Sequence, residues 1–255
     1  MLYRPVRDSL CGVFLVTCLS ACGSEGDTSS SPPPTPAQIS AEGLWVGTTG
    51  TGRTVSGVVL DDATYWFLYS VAGDPSIIEG FIQGDSSFQN GTLTSSNAKD
   101  FSVGRSGAPV LDATMNGKYE AKQSLSGTTV YQIGGPDTFT TTYDRDYELP
   151  SDVAVVAGNY SGPVAAGETV NVAVTVAGAI SGISTTGCTF TGSFSTRASG
   201  NVFDVMMTFG GQTACSNGSD TVRGVGFYDA DSRKLYSAAF NTARTNGFIF
   251  IGTKP

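Results

Sequence analysis

From residue 39 onward, apolar residues come in short runs, alternating or continuous, and nowhere hold a helical period over three turns. Runs rich in Val, Ile, Thr, Phe and Tyr, separated by Gly-rich breaks, read as β-strands. The pattern predicts strands over residues 44–49, 54–60, 64–71, 77–83, 169–176, 189–195, 202–209, 221–228, 234–240 and 248–251. Four Asn-Gly pairs (Asn90-Gly91, Asn116-Gly117, Asn217-Gly218 and Asn246-Gly247) signal tight turns, because a type I′ turn needs positive φ at both central positions. Only residues 152–157, after Pro150, suggest a turn of helix. The expected fold class is all-β, built of antiparallel small barrels or sandwiches.

An internal repeat divides this β region. Gly43-Leu44-Trp45-Val46-Gly47 matches Gly158-Asn159-Tyr160-Ser161-Gly162, both as Gly-x-aromatic-x-Gly. Without a gap, Gly52-Arg53-Thr54-Val55 then falls on Gly167-Glu168-Thr169-Val170, and after a register shift Phe139 lines up with Phe248. Two related β units follow, residues 39–150 and 151–255. If the match is coincidence in Gly-rich sequence, a single larger β domain is the alternative.

The segment before the β region has a different composition. Arg4 and Arg7 precede an apolar run from Leu10 to Leu19, far short of the ~20 residues that span a bilayer. It ends in Leu19-Ser20-Ala21-Cys22, which resembles the lipobox of bacterial lipoproteins. That resemblance implies cleavage before Cys22, acylation of its thiol and amine, and a lipid anchor outside the cytoplasm. Residues 1–21 are then a signal peptide, and residues 22–38 a lipidated tether rich in Ser, Thr and Pro that cannot bury a core. The 16 residues after Cys22 span about 22 Å as a flexible chain and about 50 Å fully extended. Gly23, where the enteric pattern for inner-membrane retention has Asp, favours the outer membrane.

Loss of Arg4, Arg7 and Asp8 with the leader takes the formal charge from −8 to −9, which argues against nucleic acid as a partner. Of five cysteines, Cys11 and Cys18 leave with the leader and Cys22 carries lipid. Cys188 and Cys215 remain as an even pair in an oxidising compartment and are expected to form a disulfide.

The Gly-x-Trp opening of a first strand resembles that of lipocalin-like barrels. The two-unit lipoprotein plan with Gly-x-aromatic-x-Gly openings resembles surface lipoproteins of the transferrin-binding and factor H-binding type. What these resemblances imply is architecture only.

The chain contains no histidine, so no Ser-His or Cys-His pair and no imidazole ligand is available. Ser96-Asn97-Ala98-Lys99 spells S-x-x-K, but it lacks the partner motifs of Ser-Lys acylases and is read as part of a polar turn. Asp144, Asp146 and Glu148 alternate along what reads as an extended segment. They could ligate calcium or form an acid–base pair, and a solvated surface row is the preferred reading. Asp61-Asp62 and Asp229-Ala230-Asp231 fall where hairpin turns are expected. In the run Tyr65-Trp66-Phe67-Leu68-Tyr69, the first, third and fifth residues share one face. Burial on both faces is expected, with Tyr65, Phe67 and Tyr69 as candidates to line a pocket.

No catalytic site, metal or cofactor is expected. The leading functional expectation is a non-enzymatic envelope lipoprotein, membrane-bound through its lipid, that serves structure or protein recognition. The alternative is lipocalin-like binding of a small apolar ligand or lipid. A solvent-open pocket inside one β unit favours the alternative, and a filled interior the former.

Overall fold

The computed structural model describes residues 40–103, 109–164 and 168–255. The leader, Cys22, the tether and Gly167 lie outside the described residues. Nine strands make up the first half: β1 (Gly43–Thr49), β2 (Thr54–Val59), β3 (Thr64–Val71), β4 (Asp74–Asp85), β5 (Ser87–Gln89), β6 (Thr92–Phe101), β7 (Leu111–Glu120), β8 (Ser124–Tyr131) and β9 (Asp137–Asp144). Eight form an antiparallel ring in the order β4-β3-β2-β1-β9-β8-β7-β6, closed by pairing of β4 with β6, and β5 extends the edge beside β6. A short 3-10 turn (Arg145–Glu148) and the one-turn helix α1 (Val153–Val156) lead to the second half. Its strands are β10 (Gly158–Pro163), β11 (Thr169–Val174), β12 (Ala179–Ser184), β13 (Thr189–Thr196), β14 (Val202–Phe209), β15 (Thr221–Asp229), β16 (Lys234–Asn241) and β17 (Gly247–Thr253). They close into a second eight-stranded barrel in chain order.

The strands that the apolar pattern does not pick out are the polar ones, β5 to β10 and β12. β7 shows why: Ala113, Met115, Gly117 and Tyr119 are buried while Asp112, Thr114, Asn116, Lys118 and Glu120 are exposed. Its inward residues are Ala, Met, Gly and Tyr and its outward ones polar or charged, so the alternation is present but carries little hydropathy. Two local expectations fail for the same reason. Asn116-Gly117 is not a turn but lies in β7, paired with Thr128 and Gly127. Ser96 and Lys99 lie in strand β6, not in a turn, and Lys99 is paired with Asp112 at 2.6 Å.

The repeated motif opens the first strand of each barrel and does the same work in both. Trp45 Nε1 donates to the Ala41 carbonyl (2.9 Å) and the Tyr160 hydroxyl donates to the Val156 carbonyl, each four residues back. The second motif glycine lets the closing strand approach: a Cβ on Gly47 would meet Thr140 O at 2.0 Å, and one on Gly162 would meet Ile251 O at 1.9 Å. No side chain fits there, which explains the fixed spacing between aromatic and glycine.

The barrels pack side by side through a shared apolar layer. β3 is buried on both faces: Tyr65, Phe67 and Tyr69 enter the first barrel's interior, while Trp66 and Leu68 join a cluster containing Val202, Val225, Phe227 and Ala238 of the second. Phe240 stacks on Trp66 (5.0 Å) and on Phe101 (5.6 Å), and Phe101 stacks on Phe81 (4.6 Å). Arg197 bonds Asp61 at 2.6 Å and Asp62 at 3.1 Å, and Arg244 donates to Gln83 Oε1 at 2.6 Å. The aspartates of the β2–β3 turn therefore hold the second barrel in addition to shaping their own hairpin.

Candidate functional site

The first barrel has two unlike ends. Ser40 and the 3-10 turn sit where β1 begins. At the far end, the turns β1–β2 and β8–β9, with Ser102 after β6 and Leu111 at the start of β7, border an opening into a cavity of about 360 Å³. Its deeper wall is apolar, made by Val55, Phe67, Ile82, Met115 and Phe139. Nearer the mouth come Arg53, Tyr69, Glu79, Asp100, Tyr131 and Asp137.

Local irregularity places the charged groups. Along β3 and β4, Tyr69 pairs with Gly80 and Ser70 with Ile78, so Glu79 is the extra residue of a bulge. A bulge re-aims a side chain, and here Glu79 bonds Arg53 of the β1–β2 hairpin. The same guanidinium donates to the Ser70 carbonyl (2.7 Å) and lies 5.2 Å from the Tyr69 ring centre. Burial opposes the charge on Arg53, but the bond to Glu79 and its charge outweigh it and raise the pKa. The Tyr69 hydroxyl lies 2.5 Å from Asp100 Oδ1 and 3.0 Å from Ser102 Oγ. Gly80 makes room for it: a Cβ there would fall 2.2 Å from the hydroxyl oxygen. Burial, reinforced by Asp100, raises the Tyr69 pKa strongly, and Tyr131 is raised by burial and by Asp100 and Asp137. Both phenols stay protonated through the physiological range. Asp137 accepts from Thr51 Oγ1 at 2.7 Å.

Of the three aromatic candidates, Phe67 and Tyr69 line the cavity, while Tyr65 does not. Tyr65 lies fully buried below it, its hydroxyl donating to Ser95 Oγ at 3.0 Å, and burial pushes its pKa up to about 12. Arg53, Glu79, Asp100 and Asp137 were not singled out in the sequence. The available signal was a charge set among apolar neighbours, as in Ile77-Ile78-Glu79-Gly80-Phe81.

The acidic segment differs from the extended row expected of it. Only Asp144 belongs to a strand; Asp146 and Glu148 lie in the 3-10 turn that Asp144 caps by accepting from the Asp146 amide at 3.0 Å. The cap bends the chain and removes the alternation. Glu148 is paired with Lys122 at 3.0 Å, and Asp146, its pKa raised by burial and by Asp144, Asp229 and Asp231, belongs to none of the cavity walls. Asp229 accepts from the amides of Asp231 and Ser232 (2.9 and 3.0 Å), the local bonding expected of a hairpin turn. Among the described residues no group of three acidic or thiol ligands is arranged to hold a metal ion.

The second barrel is filled. Val170, Val172, Val174, Phe194, Phe203, Met207 and Phe250 are among its buried interior residues. At the end corresponding to the open mouth, Phe190, Phe209 and Phe248 meet with ring centres 5.6–5.7 Å apart. Cys188 and Cys215 form the expected disulfide, with Cα atoms 4.8 Å apart, and both are buried in the same core. The bond pins the β14–β15 loop over that end.

No protein-family model and no curated protein matches the sequence. Among solved structures, isotype 1 transferrin binding protein B from serogroup B Neisseria meningitidis is similar at 11% identity and a TM-score of 0.29. The likeness covers 80% of this chain and 58% of that one, so the chain spans less than two thirds of that protein's length. At that distance nothing is carried over from one protein to the other.

Proposed function

We propose that this chain is a bacterial envelope lipoprotein, anchored through Cys22, whose N-terminal barrel holds a small ligand in its mouth without chemical turnover. The observation that carries this reading is the cavity of about 360 Å³ open to solvent, within the range of ligand pockets, roughly 300–1,000 Å³. Its apolar floor and ring of polar groups suit an amphipathic molecule better than the purely apolar ligand or lipid of a lipocalin-like site. The absence of histidine and the position of Asp144, Asp146 and Glu148 away from the cavity support binding over catalysis. β1 runs from the Ser40 end to the mouth over seven residues, about 20 Å. Ser40, the first described residue, thus lies at the end of the barrel opposite the opening. An outer-membrane location rests on Gly23 after the lipobox cysteine.

The test is mass spectrometry of small molecules released on denaturing protein extracted from its native envelope. A compound stoichiometric with the wild type and lost from a cavity-filling Met115→Trp variant is expected. Equal recovery from both, or none from either, would refute the reading. Recognition of a protein at the same rim is the second reading, favoured by Ile77 and Ile133, exposed at 52% and 68% beside the mouth. Such a partner would be lost on replacing both isoleucines by Ser, whereas a ligand seated below the rim would be retained.

A further inference from the structure

We infer that the second barrel keeps the first one closed: its β16–β17 hairpin clamps the seam between β4 and β6. Arg244 is then the positioning residue for the part of the cavity wall that this seam carries. The bearing on the cavity rests on its being a ligand site. Among the described residues, β4 meets β6 at Phe81 opposite Phe101, Ile82 opposite Asp100 and Gln83 opposite Lys99, whereas β1 runs against β9 from Leu44 to Thr49. Pairing resumes where β5 meets β6, at Ser87 opposite Thr94, out of register with the first three pairs. In between, the Asn97 side chain stands in for the ladder, accepting from the Asp85 amide at 2.9 Å. A broken ladder leaves backbone groups to be satisfied by other means and marks where a barrel opens most readily. Ile82 and Asp100, paired across this seam, both line the cavity.

One hairpin of the second barrel spans both strands of the seam. Arg244 Nη2 lies 3.1 Å from the Gln83 carbonyl oxygen, 2.6 Å from Gln83 Oε1 and 3.2 Å from the Asn97 carbonyl oxygen. A single guanidinium thus ties β4 to β6 at the break, and a charged donor bonds carbonyls more strongly than a neutral one. Phe240 stacks on Phe101 of β6, which stacks on Phe81 of β4. Gly247 lies against both rings: a Cβ there would fall 3.0 Å from Phe81 and 3.1 Å from Phe101. The turn is built to present the arginine. Asn241 Oδ1 accepts from the amides of Thr245 (3.0 Å) and Asn246 (3.2 Å), and the Asn241 carbonyl accepts from the Arg244 amide (2.8 Å). Arg244 itself takes a φ of 55°, a conformation that residues with a Cβ seldom adopt. The apolar stack alone would serve adhesion; the arginine adds bonds within the wall of the first barrel.

Amide hydrogen exchange of the full chain by NMR tests this, together with titration of 2-phenylethylamine as a small amphipathic probe of the cavity. In Arg244→Ala, amides of residues 81–83 and 99–101 should exchange about tenfold faster relative to those of β1 and β9. The probe should bind that variant several-fold more weakly. Arg244→Lys, which keeps a cation within reach of the same carbonyls, should restore both. Gly247→Ala, which presses a methyl group between the hairpin and the Phe81–Phe101 pair, should loosen the same amides and gives the reading if Arg244→Ala does not fold. Equal acceleration over all strands would mean that Arg244 adds only global stability, and unchanged exchange that it holds no seam; either overturns the inference. Faster exchange at the seam with unchanged probe binding would overturn its link to the cavity. Failure of the wild type to bind the probe at millimolar concentration would overturn the ligand-site reading, and exchange alone would then decide the clamp.

Discussion

At the open end of the N-terminal barrel, Arg53, Glu79, Tyr69 and Asp100 surround a cavity. At the corresponding end of the C-terminal barrel, Phe190, Phe209 and Phe248 meet beneath a loop pinned by the Cys188–Cys215 bond. The first strands of both barrels use the same motif, and the register of the closing strands, Val46 opposite Thr142 and Ser161 opposite Thr253, makes Phe139 the counterpart of Phe250 and not of Phe248, as the sequence alignment had it. Phe139 lines the cavity, whereas Phe250 is buried in the packed core of the second barrel. One architecture thus serves two ends. The filled barrel has an apolar core and a covalent staple, and its partner gives up packing at one end for a polar opening. Burial of charge at Arg53 and Glu79 is a cost that a purely structural barrel has no need to bear.

The largest effect expected is at the join between the barrels. Phe240 is the ring through which the C-terminal barrel stacks on Trp66 and Phe101. Phe240→Ala should cost about 3–5 kcal/mol, and calorimetric unfolding of the variant should split into two transitions where the wild type is expected to give one. A single transition at nearly the wild-type temperature would mean that the barrels do not depend on each other through this layer.

Next comes the staple. Replacing Cys188 and Cys215, 27 residues apart, by Ala should lower stability by roughly 3–4 kcal/mol, measured by denaturant unfolding. The loss should fall on the C-terminal barrel and leave binding in the N-terminal mouth intact at moderate temperature. Loss of binding in a variant that still folds would show that the two ends are not independent.

The third effect separates the packed floor of the N-terminal barrel from its mouth. Tyr65 has its pKa raised by burial to about 12 against about 10 in the unfolded chain. The unfolded state therefore loses its proton first. Stability from this group is complete below pH 10 and is lost as pH rises from 10 to 12, by roughly 2–3 kcal/mol. Tyr65→Phe should remove that part of the alkaline slope in denaturant unfolding. An unchanged slope would place the sensitivity elsewhere, at Tyr69 or Tyr131.

Much of this contrast was legible in the sequence and part of it was not. β3 and β14 stand out at their observed limits, Thr64–Val71 and Val202–Phe209, because both faces of β3 and the inner face of β14 are strongly apolar. The aromatic run identified an inward face, and two of its three rings reach the cavity. The charged rim stayed hidden because it depends on register. Glu79 faces Arg53 only through a bulge, and Asp100 reaches Tyr69 from a strand 31 residues away. Local patterning does not encode either relation. Asp144, Asp146 and Glu148 were misread for a related reason: Asp144, as a cap, turned the chain and ended the alternation on which a row depends.

The account stands most directly on where a small probe enters the molecule. Chemical-shift mapping of the full chain with 2-phenylethylamine should move resonances of Phe67, Tyr69, Met115 and Phe139 and leave those of Phe190, Phe209 and Phe248 in place. Shifts confined to the C-terminal barrel, or spread equally over both, would contradict an open first barrel beside a filled second one.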